Sequence, residues 1–180
     1  MLENGVLYRE GSVVKWLFTL VLTCCFLCEA QASGVVVFSS AKRSKVHDAS
    51  IHNGLVVASV SYSESLQIGE QRWSSNGKGY LLAGFDTSGA LKWTRKTPVQ
   101  VDYVSLTGDG VYVSGEWSEK GDFLGCALPK KREKASFVSL VSRDGRCQWL
   151  LELTSSEKVG ITDLDAHSDH GVLLVGNVSS

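Results

Sequence analysis

Gly54-Leu55-Val56-Val57-Ala58-Ser59 recurs as Gly110-Val111-Tyr112-Val113-Ser114-Gly115 and again as Gly171-Val172-Leu173-Leu174-Val175-Gly176. Each segment is a glycine, a run of at least three apolar residues and a small residue. Each follows a polar stretch: His52-Asn53-Gly54, Gly108-Asp109-Gly110, and His167 to Gly171. Asn-Gly and Asp-Gly tolerate positive φ and are strong hairpin signals. A continuous apolar run of this length, without alternation, predicts a strand covered on both faces.

Working outward, a shift of 56 positions lines up residues 46–98 with the following stretch without a gap. Gly54 falls on Gly110, Val57 on Val113, Gly69 on Gly125, Lys78 on Lys134, Gly89 on Gly145 and Trp93 on Trp149. The third glycine, Gly171, follows Gly110 by 61 residues. Four short strands are expected per unit. The first precedes the glycine (48–51, 103–106, 162–166) and the second is the apolar run. The third covers 80–85 and 137–141. Turns Asp86-Thr87-Ser88-Gly89 and Ser142-Arg143-Asp144-Gly145 then lead into fourth strands at Leu91 and Cys147. No sustained 3.6-residue apolar period occurs in residues 35–180, so little helix is expected. A four-stranded sheet cannot bury both faces alone, whereas stacked sheets bury each other's. The expectation is therefore all-β, a partial β-propeller of four-stranded antiparallel blades, about two and a half units of 56-residue period. Residues 46–101 form the first blade, 102–160 the second and 161–180 an incomplete third, with 33–45 a linker or first strand. Gly54, Gly89, Gly110, Gly145 and Gly171 are assigned structural roles, with Trp93 and Trp149 wedged between neighbours. A ring of 4–8 blades needs more than this, so a piece of a longer protein is expected. Open blade faces would favour self-association.

Gly115-Glu116-Trp117, Gly121-Asp122-Phe123-Leu124-Gly125, Ser136-Phe137-Val138-Ser139-Leu140 and Asp144-Gly145-Arg146-Cys147-Gln148-Trp149 together resemble one unit of the secreted bacterial β-propeller repeats (SBBP-like). Leu140 stands where that family has Lys, and Leu124 interrupts its Phe-Gly pair. The first unit matches only at Gly69, Gly89 and Trp93. Gly89 to Trp93 and Gly145 to Trp149 also resemble the Gly-x-x-x-Trp blade segments of quinoprotein-like propellers, where they join blades. The resemblance implies architecture; no cofactor-binding residues of that family can be placed here, and no cofactor is expected.

Lys15, the apolar run Trp16 to Cys28 and the small-x-small sequence Ala30-Gln31-Ala32 read as a secretory signal peptide over 1–32. An uncleaved anchor or a core helix is the alternative, although the run is short for a span. Export to a periplasmic, extracellular or cell-surface location is expected. Without Arg9 and Lys15, and without Glu3, Glu10 and Glu29, the remainder holds 16 basic and 16 acidic residues. That balance gives no case for nucleic acid or an anionic membrane as partner. Cys126 and Cys147 remain in a compartment that permits a disulfide, but spacing does not fix their distance, so paired and free thiols both stay open.

Asp163, Asp165, His167 and Asp169 alternate and would place oxygen and nitrogen ligands on one strand face for a cation. Asp and Ser are also ordinary turn formers, so a strand end with its turn is the competing reading. Lys130-Lys131-Arg132 forms a basic loop, and its counterpart, the expected loop Ser61 to Gly79, carries Arg72, Trp73 and Lys78. Long loops on a rigid scaffold are where binding usually resides, so Arg72, Trp73, Lys130, Lys131 and Arg132 are the candidate partner surface. No nucleophile motif or phosphate-binding glycine loop occurs. The expected function is a non-catalytic exported binding or scaffold module for a protein or carbohydrate. The alternatives are part of a propeller enzyme whose site lies elsewhere, and a surface-anchored structural repeat protein.

Overall fold

The computed structural model describes residues 38–40, 42–129, 135–153, 158–167 and 171–179. The expected signal segment, 1–32, lies outside them. Among the described residues every regular element is a strand. The first sheet contains β1 (Phe38–Ser40), β2 (Ser44–His52), β3 (Leu55–Ile68), β4 (Gln71–Asp86) and β5 (Leu91–Thr97). Strands β2 to β5 form an antiparallel meander, and β1 joins the far half of β3. The second sheet is another four-stranded antiparallel meander: β6 (Val101–Leu106), β7 (Val111–Trp117), β10 (Ala135–Val141) and β11 (Cys147–Leu153). Between β7 and β10 lies a small hairpin of β8 (Gly121–Phe123) and β9 (Cys126–Leu128). Strands β12 (Lys158–His167) and β13 (Gly171–Ser179) form a third, two-stranded sheet.

The glycine-plus-apolar runs are the second strands of the three sheets, and the β2–β3 turn follows the Asn-Gly signal. His52 pairs with Leu55 across Asn53 and Gly54, whose φ angles of 46° and 76° suit a two-residue hairpin turn. The uniform 56-residue step needs correction. A bulge leaves His47 unpaired in β2, Asp102 in β6 and Thr162 in β12, spaced 55 and then 60 residues apart. On the outer strands the step is 56: Gly84 pairs with Trp93, and Leu140 with Trp149. Val57 pairs with Gly84 and Tyr112 with Leu140, so Tyr112, not Val113, occupies the place of Val57. One residue of slip reverses a side chain's face. Gly110 accordingly does not repeat the turn position of Gly54. It is required at its own place because a Cβ there would lie 2.5 Å from the Val141 carbonyl oxygen.

The expected loop Ser61 to Gly79 is also corrected. It continues β3 and β4 as a ribbon, turning at Gly69, with Tyr62, Leu66 and Ile68 buried on one side. Serines at alternate positions make the stretch look loop-like, while the buried residues keep strand spacing. Its counterpart is the β8–β9 hairpin, whose turn places Leu124 at φ 58° beside Gly125.

The sheets stack face to face. Leu55, Val57 and Leu82 of the first sheet meet Val104, Val111, Val113, Phe137 and Val141 of the second in one buried cluster. Tyr112, Val138 and Leu140 on the other face of the second sheet meet Leu164, Ala166, Val172 and Leu174 of the third. Full burial of side chains this size stabilises by about 1.5–3 kcal/mol each. Val57 and Val113, matched in the uniform alignment, meet in the first cluster from opposite sides.

Candidate functional site

The junction between the first two sheets is built from both sides. The Trp93 indole N–H donates to the Arg143 carbonyl at 2.7 Å, and the Arg95 guanidinium donates to the Asp144 carbonyl at 2.8 Å. Arg143 reaches back, donating to the carbonyls of His52, Asn53 and Thr107. Two glycines make room for the indole. A Cβ on Gly84 would come within 2.4 Å of the Trp93 ring. One on Gly145, at φ 85°, would lie 3.0 Å from it. The Trp93 ring therefore lies between the first sheet and the Ser142–Gly145 turn of the second. Trp149 differs: it is 39% exposed and meets Tyr112 edge-on, with ring centroids 6.0 Å apart. Where Trp93 has Gly84 opposite it, Trp149 has Leu140. A side chain there excludes the ring position that Trp93 occupies. Gly54, Gly89 and Gly171 all take positive φ at turns or strand starts.

Strand β6 runs against β2 on one side and β12 on the other. The Val104 and Leu106 amides donate to the Asp48 carboxylate at 2.7 Å and to the Ser50 hydroxyl at 3.0 Å. One sheet further on, the Ala166 amide donates to Ser105 at 3.1 Å. Sequence reasoning missed these contacts, because a lone Asp or Ser in a strand carries no signal of a neighbouring sheet. Burial pushes the Asp48 carboxyl up, with Asp163 adding to the shift and two backbone amides opposing it. Unpaired His47 bonds the Ser61 hydroxyl at 2.8 Å, and burial and Lys45 lower its pKa against the pull of Asp102. Bulged residues of this kind are common beside functional sites.

Of the expected cation ligands, Asp163, Asp165 and His167 are exposed on β12, and Asp169 lies outside the described residues. Among the described residues no three His, Cys, Asp or Glu side chains gather into a metal-binding group. Asp163 instead accepts from the Leu164 amide at 2.8 Å. In the expected partner surface, Lys130, Lys131 and Arg132 lie outside the described residues. Arg72 is exposed on the ribbon and donates to Ser65 at 3.3 Å, while Trp73 packs against the core beneath. Two grooves adjoin at Ser74. One, of about 430 Å³, is lined by Glu64, Ser65, Arg72 and Ser74. The other, of about 170 Å³, is lined by Tyr62, Ser75, Lys78, Tyr80, Lys96 and neighbours. Lysines, hydroxyls and tyrosine rings can hold a polar or anionic ligand.

Cys126 and Cys147 form a disulfide with a Cα separation of 5.7 Å, joining β9 to the start of β11. The Cys147 amide also donates to the Leu124 carbonyl at 2.9 Å. The question left open by spacing is thus settled by register: β8–β9 folds over the sheet that β11 completes.

Among the described residues no helix is long and apolar enough to cross a membrane. Comparison with protein-family models, curated proteins and solved structures gives no match to this chain.

Proposed function

We propose that the chain is an exported, non-catalytic binding module with the architecture of a partial β-propeller, of which the three sheets are successive blades. The observation that carries this reading is the row of innermost strands. Strands β2, β6 and β12 lie side by side, each with a bulge at the corresponding place, and side chains of one accept amides of the next. Blades set around an axis bring their first strands together in this way. The Trp93 junction supports it, because the indole of one sheet is held by the outer turn of the next. It also agrees with the resemblance to secreted bacterial propeller repeats.

Export is supported by the disulfide, which persists in oxidising compartments, together with the signal-like segment 1–32. The ligand surface in this reading is the β3–β4 ribbon with its two grooves, and the ligand is a polar carbohydrate or a protein loop. The test is a binding screen of the oxidised protein against polysaccharides and extracellular proteins, with Arg72→Glu and Lys78→Glu as variants. Saturable binding, lost in the variants, with the ligand recovered chemically unchanged is expected. Binding that survives both substitutions moves the site elsewhere, and turnover of the ligand makes the chain an enzyme; either result overturns the reading.

A further inference from the structure

We infer that the smaller groove of the β3–β4 ribbon binds an acidic sugar of an anionic polysaccharide. Lys78 and Lys96 counter its carboxylate or sulfate, and the Tyr62 hydroxyl donates to it. This rests on the binding-module reading above and names the ligand class that reading leaves open.

The groove lies where the ribbon kinks. Ser63 pairs with Lys78 and Ser65 with Ser74, so Glu64 stands opposite Ser75, Asn76 and Gly77 outside the regular pairing. Glu64 takes φ 65° and Gly77 φ 107° at this irregularity. Bulges re-aim side chains, and here Ser75 and Lys78 come to line one groove with Lys96 at the end of β5. Tyr62 also lines it. That residue is 2% exposed, yet its hydroxyl has no hydrogen-bond partner among the described residues. A Cβ on Gly79, another lining residue, would lie 2.7 Å from the Tyr62 hydroxyl oxygen. The φ of Gly79 is not positive, so the phenol needs the glycine there and the backbone does not. A buried hydroxyl without a partner is unfavourable, and a ligand that accepts from it recovers the loss. Burial pushes the phenol's pKa up, so it meets that ligand as a donor.

The charges say what fits. The Lys96 ammonium donates to the Ser74 carbonyl at 3.2 Å, which anchors it at the junction of the two grooves. Among the described residues neither Lys78 nor Lys96 has a carboxylate partner, and no Asp or Glu lines this groove. Two ammonium groups and a buried hydroxyl donor together suit an anion. The larger groove continues from Ser74 past Arg72, and the carboxylate that lines it, Glu64, is ion-paired with Lys42. A chain lying through both grooves therefore meets cations at intervals, with the hydroxyls of Ser65, Ser74 and Ser75 and the Tyr80 ring between them. Acid groups spaced along hydroxyl-bearing rings match that order, whereas an acidic peptide supplies the charge without the hydroxyls.

The test titrates the full, disulfide-bonded chain by calorimetry with polygalacturonate, dextran sulfate, neutral dextran and poly-glutamate. One of the two anionic polysaccharides should bind at least about tenfold more tightly than dextran and poly-glutamate, as a charge-assisted hydrogen bond implies. Which of them binds tells carboxylate from sulfate. Tyr62→Phe removes a hydroxyl that has no partner in the fold, so it should unfold in urea as wild type does. Its affinity for the bound polymer should fall about tenfold. Lys78→Gln/Lys96→Gln should lower affinity further and flatten its dependence on salt. Equal binding of dextran would make the groove a neutral-sugar site, and equal binding of poly-glutamate would make an acidic protein segment the ligand. Either result overturns the inference, as do failure of both anionic polymers to bind and undiminished affinity in Tyr62→Phe. All four leave the binding-module reading standing. Shortening of a bound polymer would refute that reading, and this inference with it.

Discussion

Two tryptophans 56 residues apart have different physical situations, and their substitutions should separate accordingly. Trp93→Ala removes a ring wedged against Gly84 and Gly145 and an indole hydrogen bond across the junction. It should cost about 3 kcal/mol, at the low end for a buried indole. Trp149→Ala removes an edge contact to Tyr112 and should cost about 1 kcal/mol. Urea unfolding of the two variants measures the difference; equal costs would mean that Trp149 is also enclosed. Asp48 supplies a pH signature at the same junction. Burial raises its folded-state pKa above the unfolded value, so the folded chain holds that proton more tightly. The contribution of Asp48 to stability therefore falls as pH rises from about 4, the ordinary carboxylate value, through the raised one. Wild type should lose stability relative to Asp48→Asn across that window, as read by urea unfolding at a series of pH values. Asp86 behaves oppositely. The Lys92 ammonium and the Ser88 hydroxyl, with the Ala90 amide, hold its carboxyl well below the usual range. What it contributes is present at neutral pH and lost in strong acid.

At the scale of elements, the glycine-apolar runs and the Asp86–Gly89 and Ser142–Gly145 turns were legible because each carries its own local signal. The ribbon of β3 and β4 was not. Ser61, Ser63, Ser65, Ser74 and Ser75 make the stretch polar enough to read as loop, while Tyr62, Leu66 and Ile68 supply the buried side. Nor could a gap-free alignment find the change of step from 55 to 56. That extra residue falls between β7 and β10, where the β8–β9 hairpin replaces the ribbon. The disulfide belongs to this level as well, since it ties that hairpin to β11. The 21-residue separation of Cys126 and Cys147 implies a loss of about 3 kcal/mol when the bond is removed. Cys126→Ser/Cys147→Ser should show that loss in denaturant, and the wild-type protein should yield no titratable thiol from this pair when unfolded without reductant.

Across the whole molecule, the stacking of sheets follows from a demand already visible in the sequence. Apolar runs such as Val111-Tyr112-Val113 have side chains on both faces of a strand, and both faces need cover. The second sheet shows the solution most fully: Val111 and Val113 face the first sheet while Tyr112 faces the third. What the sequence could not convey is how neighbours are fastened. Arg143 and Arg95 grip carbonyls in turns some 50 or 90 residues away, and any charged turn residue looks alike before folding. The expected partner surface shows a similar limit: Arg72 and Trp73 are neighbours in sequence, but the ribbon turns one outward and the other into the core, which their adjacency does not reveal.

The contact between the Trp93 ring and the Ser142–Gly145 turn is where the stacked-sheet account is most exposed to refutation. Nuclear Overhauser spectroscopy of the folded protein measures it directly. The account predicts cross-peaks from the Trp93 ring protons to the Gly145 α protons, alongside those to Gly84 in its own sheet. Cross-peaks to Gly84 with none to residues 142–145 would contradict it.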